Sequence, residues 1–112
     1  MKIQQKKTGE IELFELSGEL DFHSTPQVRD KIQEVLQKQA KKVVFNLKGL
    51  TYIDSSGLAV FVETLQKMKR YNGKLVLTEL TSGVRGVFEI AKLDKVFTLA
   101  DSETEALQAV SQ

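Results

Sequence analysis

Two patterns of apolar residues alternate along this chain. One is helical, with apolar residues at i, i+4, i+7 and i+8, and its clearest example comprises Val28, Ile32, Val35 and Leu36. The other is a short, almost continuous apolar run such as Val43–Leu47, which is typical of a strand covered on both faces. Strands that alternate with helices indicate an α/β domain. We therefore predict a small mixed β-sheet of about four to five strands, packed with about four α-helices.

The predicted order is strand, strand, helix, strand, helix, strand, helix, short strand, helix. The first two strands, Lys2–Lys7 and Glu10–Leu16, flank the turn signal Thr8–Gly9 and are expected to pair as a hairpin. Apolar residues occur on both faces of the second strand, so either both faces are covered or a bulge shifts the phase. The later extended segments are Val43–Leu47, Thr51–Ile53, Lys74–Glu79 and the short edge strand Phe97–Ala100.

Local signals predict where the helices begin and end. Thr25 is expected to cap the first helix with its side chain, and Pro26 suits the first helical position because its missing N–H is not needed there. The second helix is expected to end at Gly73 in the left-handed conformation. A short third helix is centred on Val84–Ala91. Ser102–Glu105 has the form of a capping box and predicts a terminal helix.

Composition excludes several classes of function. The 112 residues suit one domain, spanning 1–112, and the absence of cysteine removes thiolate chemistry, iron–sulfur clusters and cysteine zinc sites. One histidine cannot build a multi-histidine metal centre, so neither metal nor cofactor is expected. Sixteen basic and fifteen acidic side chains are interspersed, so the sequence predicts no basic patch that would bind nucleic acid or a membrane surface. No signal peptide or membrane span is apparent, and we predict a cytoplasmic location.

The segment Tyr52–Leu58 is the most informative for function. It joins a predicted strand to a helix, and ligands and partners of open α/β sheets usually bind at that edge. Ser55 and Ser56 would lie at the helix N-terminus, where unpaired N–H groups and the helix dipole favour a negative charge, so a phosphoryl group would be tolerated there. Asp54 or Ser55 can equally serve as a helix cap and nothing more.

The same residues give weaker support for an enzymatic function than for a binding site. A nucleophilic serine needs an adjacent base, and the sole candidate, His23, lies in another loop. The Gly-x-Ser-x-Gly elbow is also missing. Asp21 and Asp54 could form a carboxylate pair for acid–base work or magnesium binding, but bracing of the loop by Asp21 is favoured. We predict no catalytic residues.

Several motifs in register resemble the bacterial anti-sigma factor antagonists of the STAS family. They are Gly18-Glu19-Leu20-Asp21, Ser24-Thr25, the strand Val43–Leu47, Asp54-Ser55-Ser56-Gly57-Leu58 and Asn72-Gly73-Lys74-Leu75. The resemblance extends from about Gly9 to the terminal helix, and it implies a single STAS domain. Members of the family act as switches, not as enzymes.

The resemblance implies a role for each matching residue. Ser55 would be phosphorylated by a partner that is both a serine kinase and an anti-sigma factor, and the unphosphorylated chain would bind that partner and release the sigma factor. A metal-dependent serine phosphatase would reverse the modification. The expected partner-facing residues around Ser55 are Asp21, His23, Ser24, Thr25, Asp54, Ser56, Gly57 and Leu58.

Other functions stay open at this point. STAS domains also occur as small cytoplasmic subunits of lipid-transporting ABC systems, and some are suspected of binding nucleotides or other small ligands. The intact Asp-Ser-Ser-Gly motif favours sigma regulation over these alternatives. A hydrolase that uses Ser55 is a third class. Because no long apolar stripe is left over, a monomer is expected in the free state.

Overall fold

Five strands form one sheet in the order β1-β2-β3-β4-β5 in the computed structural model, which describes all 112 residues. The strands β2 to β5 are parallel, and β1 alone is antiparallel to its neighbour β2. The predicted order of elements is confirmed. In chain order they are β1 (Lys2–Thr8), β2 (Ile11–Leu20), α1 (Thr25–Gln37), β3 (Lys42–Ile53), α2 (Ser55–Lys69), β4 (Lys74–Thr78), α3 (Ser82–Ile90), β5 (Thr98–Ala100) and α4 (Glu103–Val110).

The helices cover the two faces of the sheet unequally. Buried residues of α1, α2 and α3 join one face in a core of 19 residues, whereas α4 closes a smaller cluster of six on the other face. Aromatic rings link the layers of the larger core: Phe14 stacks on Phe45 at 5.0 Å between centroids, and Phe45 meets Phe61 of α2 edge-on at 5.2 Å. Such pairs favour one packing arrangement beyond the burial of their area.

Both explanations offered for the apolar pattern of β2 are confirmed, in different parts of the strand. The four residues Ile11–Phe14 are all buried, so both faces are covered at the beginning of the strand. The pairing with β3 then shifts register between Glu15 and Ser17 and again between Gly18 and Glu19. β3 is one strand of 12 residues and includes Thr51–Ile53, which the sequence suggested as a separate extended piece, because β2 pairs along its whole length.

Two predicted helix ends are wrong. Thr25 is the first residue of α1 and Ser24 precedes it, because the hydroxyl of Thr25 donates to the carbonyl of Phe22 instead of accepting an N–H. After α2, Asn72 takes the left-handed conformation with φ 62°, and asparagine tolerates this better than most side chains. Gly73 is needed for space, since a Cβ there would lie 2.9 Å from side-chain atoms of Met68 and Tyr71.

The predicted capping of α4 is confirmed. Ser102 accepts a hydrogen bond from the N–H of Glu105 at 3.2 Å, and the carboxylate of Glu105 in turn accepts from the N–H of Asp101. None of the four helices combines the length and the apolar character needed to cross a bilayer.

Candidate functional site

The candidate site lies at the carboxyl end of the sheet, where β2 and β3 end side by side. Leu20 and Ile53 are partners in the ladder, and the N–H of Asp54 donates to the carbonyl of Leu20 at 3.2 Å. The loop Asp21–Ser24, which leads into α1, therefore lies beside the first turn of α2. β3 continues seven residues past its last pairing with β4 at Asn46, which leaves these two strand ends projecting from the sheet.

Glycine at position 57 allows α2 to approach β2 this closely. A Cβ on Gly57 would lie 2.7 Å from Cγ1 of Ile53 and 2.9 Å from both Cγ and the carbonyl oxygen of Leu20. Contacts that short do not occur for real Cβ atoms, so any side chain would displace the helix from the strand. Gly57 thus sets the position of the whole N-terminus of α2.

Asp54 fastens the two loops together. Its Oδ1 accepts a hydrogen bond from the N–H of Gly57 at 3.1 Å, which makes it the N-cap of α2. Its Oδ2 accepts from the N–H of Phe22, 32 residues earlier in the chain, at 3.2 Å. A single carboxylate therefore satisfies one free donor at the helix end and one in the neighbouring loop.

Asp21 braces its own loop. Its Oδ1 accepts from the main-chain N–H groups of His23 at 2.9 Å and Ser24 at 3.1 Å. Ser24 adds a second brace: its hydroxyl accepts from the N–H of Asp21 and donates to the carbonyl of Glu19. Desolvation alone would raise the pKa of Asp21, but the donors from Ser24 and His23 outweigh it and hold that pKa below its ordinary value. The loop is therefore held by an ionised carboxylate.

Ser55 is exposed as the first residue of the 15-residue helix α2. Its hydroxyl has no hydrogen-bond partner within the chain, so it is free to react or to be covered. Ser56 and Leu58 are half-buried beside it. The free N–H groups and the dipole at this helix end favour a negative charge by about 0.3–1 kcal/mol, although the Asp54 carboxylate is adjacent in sequence.

Comparisons with known proteins show the family to which this chain belongs. The STAS domain family model matches residues 2–106. The chain belongs to the STAS family. It is 29% identical over 108 residues to the anti-sigma F factor antagonist of Paenibacillus polymyxa, covering 96% of this chain and 92% of that protein. It is 31% identical over 93 residues to the anti-sigma-B factor antagonist of Bacillus subtilis, covering 83% and 84%.

The solved structures of one STAS protein are also similar to this chain. The anti-sigma factor antagonist SpoIIAA in its unphosphorylated form superposes with a TM-score of 0.84 at 28% identity, over 98% of this chain and 96% of that one. The phosphorylated form of the same Bacillus cell fate determinant gives a TM-score of 0.76 at 28% identity, over 97% and 99%. The predicted α/β STAS fold and the family resemblance are therefore confirmed.

The residues predicted to face a partner divide into two groups. Six lie at the carboxyl end with at least part of the side chain accessible: Asp21, His23, Ser24, Asp54, Ser56 and Leu58. Thr25 and Gly57 are buried, and for these two the prediction of a surface position is wrong. Thr25 turns its hydroxyl back to the carbonyl of Phe22, and Gly57 faces Leu20 and Ile53, so both support the surface from beneath.

The enzymatic alternatives receive no support from the geometry. The imidazole of His23 packs edge-on against the ring of Phe22 and makes no hydrogen bond to Ser55 or Ser56. The carboxylates of Asp21 and Asp54 accept main-chain N–H groups, which is the bracing role favoured from the sequence.

Sequence reasoning missed Phe22 and Tyr52. They are the two exposed aromatic residues of the chain, with 73% and 51% of their surface accessible. Phe22 lies between Asp21 and His23, and Tyr52 lies two residues before Asp54. A signal for Phe22 was available, because it lies between Asp21 and His23 in a polar loop and belongs to no apolar periodicity. Apolar residues outside the core pattern are candidates for binding surfaces.

Proposed function

We propose that this chain is an anti-sigma factor antagonist controlled by phosphorylation of Ser55. In its unphosphorylated form it binds an anti-sigma factor that is also a serine kinase, and the sigma factor is released. The names of the relatives support the first part, and the neighbouring SpoIIAA, solved with and without phosphate, supports a phosphorylated state. The observation that carries the assignment to Ser55 is its exposed, unpartnered hydroxyl at the first position of α2.

Phosphorylation at this position would change charge far more than structure. A phosphate adds about −1.5 to −2 charges at neutral pH, and Asp54, the next residue, already contributes a carboxylate. The helix N-terminus offsets part of that repulsion while the site is in water. An interface packed over Ser55 would instead desolvate the phosphate beside like charge, which is costly. A hundredfold loss of affinity requires about 2.7 kcal/mol.

No refolding is needed for this switch. The residues that hold the two loops in place, Asp21, Ser24 and Asp54, form their hydrogen bonds without the Ser55 hydroxyl. The phosphate would therefore act on the surface presented to the partner. The chain itself would be a regulator and a substrate, and a metal-dependent serine phosphatase would restore the binding form. Because the sigma factor released by the cycle acts in transcription, the proposed cycle would take place in the cytoplasm.

The decisive experiment compares charge at two equivalent serines. Ser82 is also exposed and is also the first residue of a helix, α3, so Ser82→Asp is the matched control for Ser55→Asp. The host's anti-sigma factor is identified by capture from lysate and mass spectrometry, purified, and titrated by calorimetry. We expect Ser55→Asp to weaken binding by at least a hundredfold and Ser82→Asp to change it less than twofold. Equal affinities for wild type and Ser55→Asp would refute the switch.

A phosphorylation assay separates the two adjacent serines. With the purified kinase partner and labelled ATP, Ser55→Ala should bind but incorporate no phosphate, whereas Ser56→Ala should be phosphorylated at the wild-type rate, since Ser56 is half-buried and Ser55 exposed. Undiminished incorporation into Ser55→Ala would place the modification elsewhere. Capture of transporter subunits by both wild type and Ser55→Asp would favour the ABC-subunit alternative.

A further inference from the structure

Phe22 is the most exposed aromatic residue of the chain and lies on a loop held by several hydrogen bonds. The residue is 73% accessible, and the one aromatic contact that its ring makes is edge-on with the neighbouring imidazole of His23, at 5.7 Å between centroids. Water around an apolar ring is unfavourable, and a polar residue would suit this turn equally well. Nothing inside the folded chain accounts for phenylalanine at this position.

Both main-chain polar groups of Phe22 are bonded to side chains. Its N–H donates to Oδ2 of Asp54 at 3.2 Å, and its carbonyl accepts from the hydroxyl of Thr25 at 3.3 Å. The turn around it is closed by main-chain bonds from Ser24 and Thr25 to the carbonyl of Asp21. An aromatic side chain presented on a fixed backbone loses little conformational freedom when it binds, and this is a common property of residues that dominate an interface.

The surroundings of Phe22 indicate the chemistry of its partner. The carboxylate of Asp21 precedes the ring in sequence, and the carboxylate of Asp54 is bonded to its N–H. A complementary surface would therefore be an apolar pocket with arginine or lysine side chains at its rim. The same surface contains Ser55, the proposed site of phosphorylation, on the helix that Asp54 caps.

We propose that Phe22 is the principal anchor of this chain in its complex with the anti-sigma factor, inserting into an apolar pocket with a basic rim. Asp54 is a positioning residue that fixes the anchor relative to the first turn of α2. This inference rests on the proposed function and adds to it the residue that supplies most of the apolar contact. The resemblance to STAS antagonists places no role on position 22.

Calorimetric titration of the purified anti-sigma factor with five forms of this chain tests the proposal. Phe22→Ala should weaken binding by at least 30-fold, whereas Ile90→Ala, which removes another exposed apolar side chain, on α3, should change it less than twofold. Asp54→Asn should weaken binding by about tenfold alone and less than twofold in the Phe22→Ala background. A merely structural role of Asp54 would give the same loss in both backgrounds.

Each result has a defined meaning. Thermal unfolding of all variants checks that they are folded, and Phe22→Ala should match wild type because its ring is exposed. If wild type binds and Ser55→Asp does not, but Phe22→Ala binds within threefold of wild type, the anchor is refuted and the switch survives. If wild type fails to bind the anti-sigma factor, the proposed function is refuted and the anchor with it. Additive losses in the double variant would refute the positioning role of Asp54.

Discussion

The two ends of the sheet hold their loops in different ways. At the carboxyl end, the carboxylates of Asp21 and Asp54 accept main-chain N–H groups. At the amino end, Glu12 accepts from the side-chain amide of Gln5 at 3.1 Å and lies 3.8 Å from Lys7 and 3.6 Å from Lys38. Main-chain donors have fixed directions, whereas lysine and glutamine side chains can rotate. The hydrogen bonds of the carboxyl end therefore have fixed directions, whereas those of the amino end can rearrange.

This difference suits the function proposed for the carboxyl end. The surface around Ser55 should keep the same loop conformation whether the serine carries a hydroxyl or a phosphate. Loops held by main-chain hydrogen bonds are already ordered, so they lose little conformational entropy when a partner binds. The amino end has no such requirement. Its lysines pair with Glu10 and Glu12 or, for Lys41, donate to the carbonyl of Tyr71 and lie over its ring. The pair of Lys42 with the exposed Glu10 contributes little to stability, whereas the carboxylate of Glu12 is buried beneath exposed lysine side chains.

The largest expected effect compares one glycine from each end. At the carboxyl end, Gly57→Ala places a methyl group 2.9 Å from the carbonyl oxygen of Leu20, which cannot move without disturbing β2. At the amino end, Gly73→Ala places a methyl group 2.9 Å from side-chain atoms of Met68 and Tyr71, whereas the nearest main-chain atom, the carbonyl oxygen of Ala40, is 3.3 Å away. We expect Gly57→Ala to lower the free energy of unfolding by about 1–3 kcal/mol and Gly73→Ala by clearly less, measured by urea denaturation.

A larger loss for Gly73→Ala than for Gly57→Ala would contradict the comparison, because it would mean that α2 moves away from the sheet more easily than side chains repack. Gly83→Ala is the control for helix propensity. It has open space around the added methyl group and should stabilise the chain by about 0.5–1 kcal/mol.

Neutralising one carboxylate at each end should have the next largest effect on the free energy of unfolding. In Asp54→Asn, the new amide group points a donor at the N–H of either Phe22 or Gly57, and neither can turn away, so we expect a loss of about 1–2 kcal/mol. In Glu12→Gln, the partners Gln5, Lys7 and Lys38 can reorient, and a buried amide requires less desolvation than the buried carboxylate it replaces, so the loss should stay below about 1 kcal/mol.

Salt dependence sharpens this second test. Denaturation is repeated in about 0.05 M and about 1 M sodium chloride, between which the Debye length falls several-fold. The cost of Glu12→Gln should shrink in high salt, since it comes from partly exposed lysines, whereas the cost of Asp54→Asn should change little. If both costs shrank equally, the carboxyl end would also depend on screened ion pairs, and the distinction between the two ends would be lost.

Repetitive patterns in the sequence were sufficient to predict the architecture. Alternation of apolar runs with helical faces gave the order of the nine elements, and Ser102–Glu105 gave the cap of α4. These features depend on neighbours within a few residues. The cap of α1 could not be fixed in this way: Ser24 and Thr25 are chemically similar, and the choice between them depends on the carbonyls of Glu19 and Phe22.

The candidate site was predictable in its position but not in its internal contacts. Asp54 was recognised as a possible cap, yet its bond to Phe22 spans 32 residues and exists because β2 and β3 end together. A network of Asn46 with Glu79 and Glu103, on the α4 side of the sheet, was missed for the same reason. Contacts between residues distant in sequence follow from strand pairing, which periodicity does not determine.

The smallest expected effect concerns acid stability and Asp21. Because hydrogen bonds from the loop lower its pKa in the folded chain, ionised Asp21 contributes stability that is complete above the ordinary carboxylate pKa of about 3.9 and is lost as the pH falls through the lower folded pKa. Wild type should therefore exceed Asp21→Asn in stability by a constant amount from neutral pH down to about pH 5. The gap should then narrow in more acidic solution, where a protonated carboxyl accepts hydrogen bonds no better than an amide.

Thermal unfolding of both forms between neutral pH and about pH 2.5 measures this gap, with Asp30→Asn, on the exposed face of α1, as the control for loss of one negative charge. A gap that stays constant to the lowest pH would mean that the ionisation of Asp21 does not stabilise the loop, and the carboxyl end would then resemble the amino end in owing little to the charge of its carboxylates.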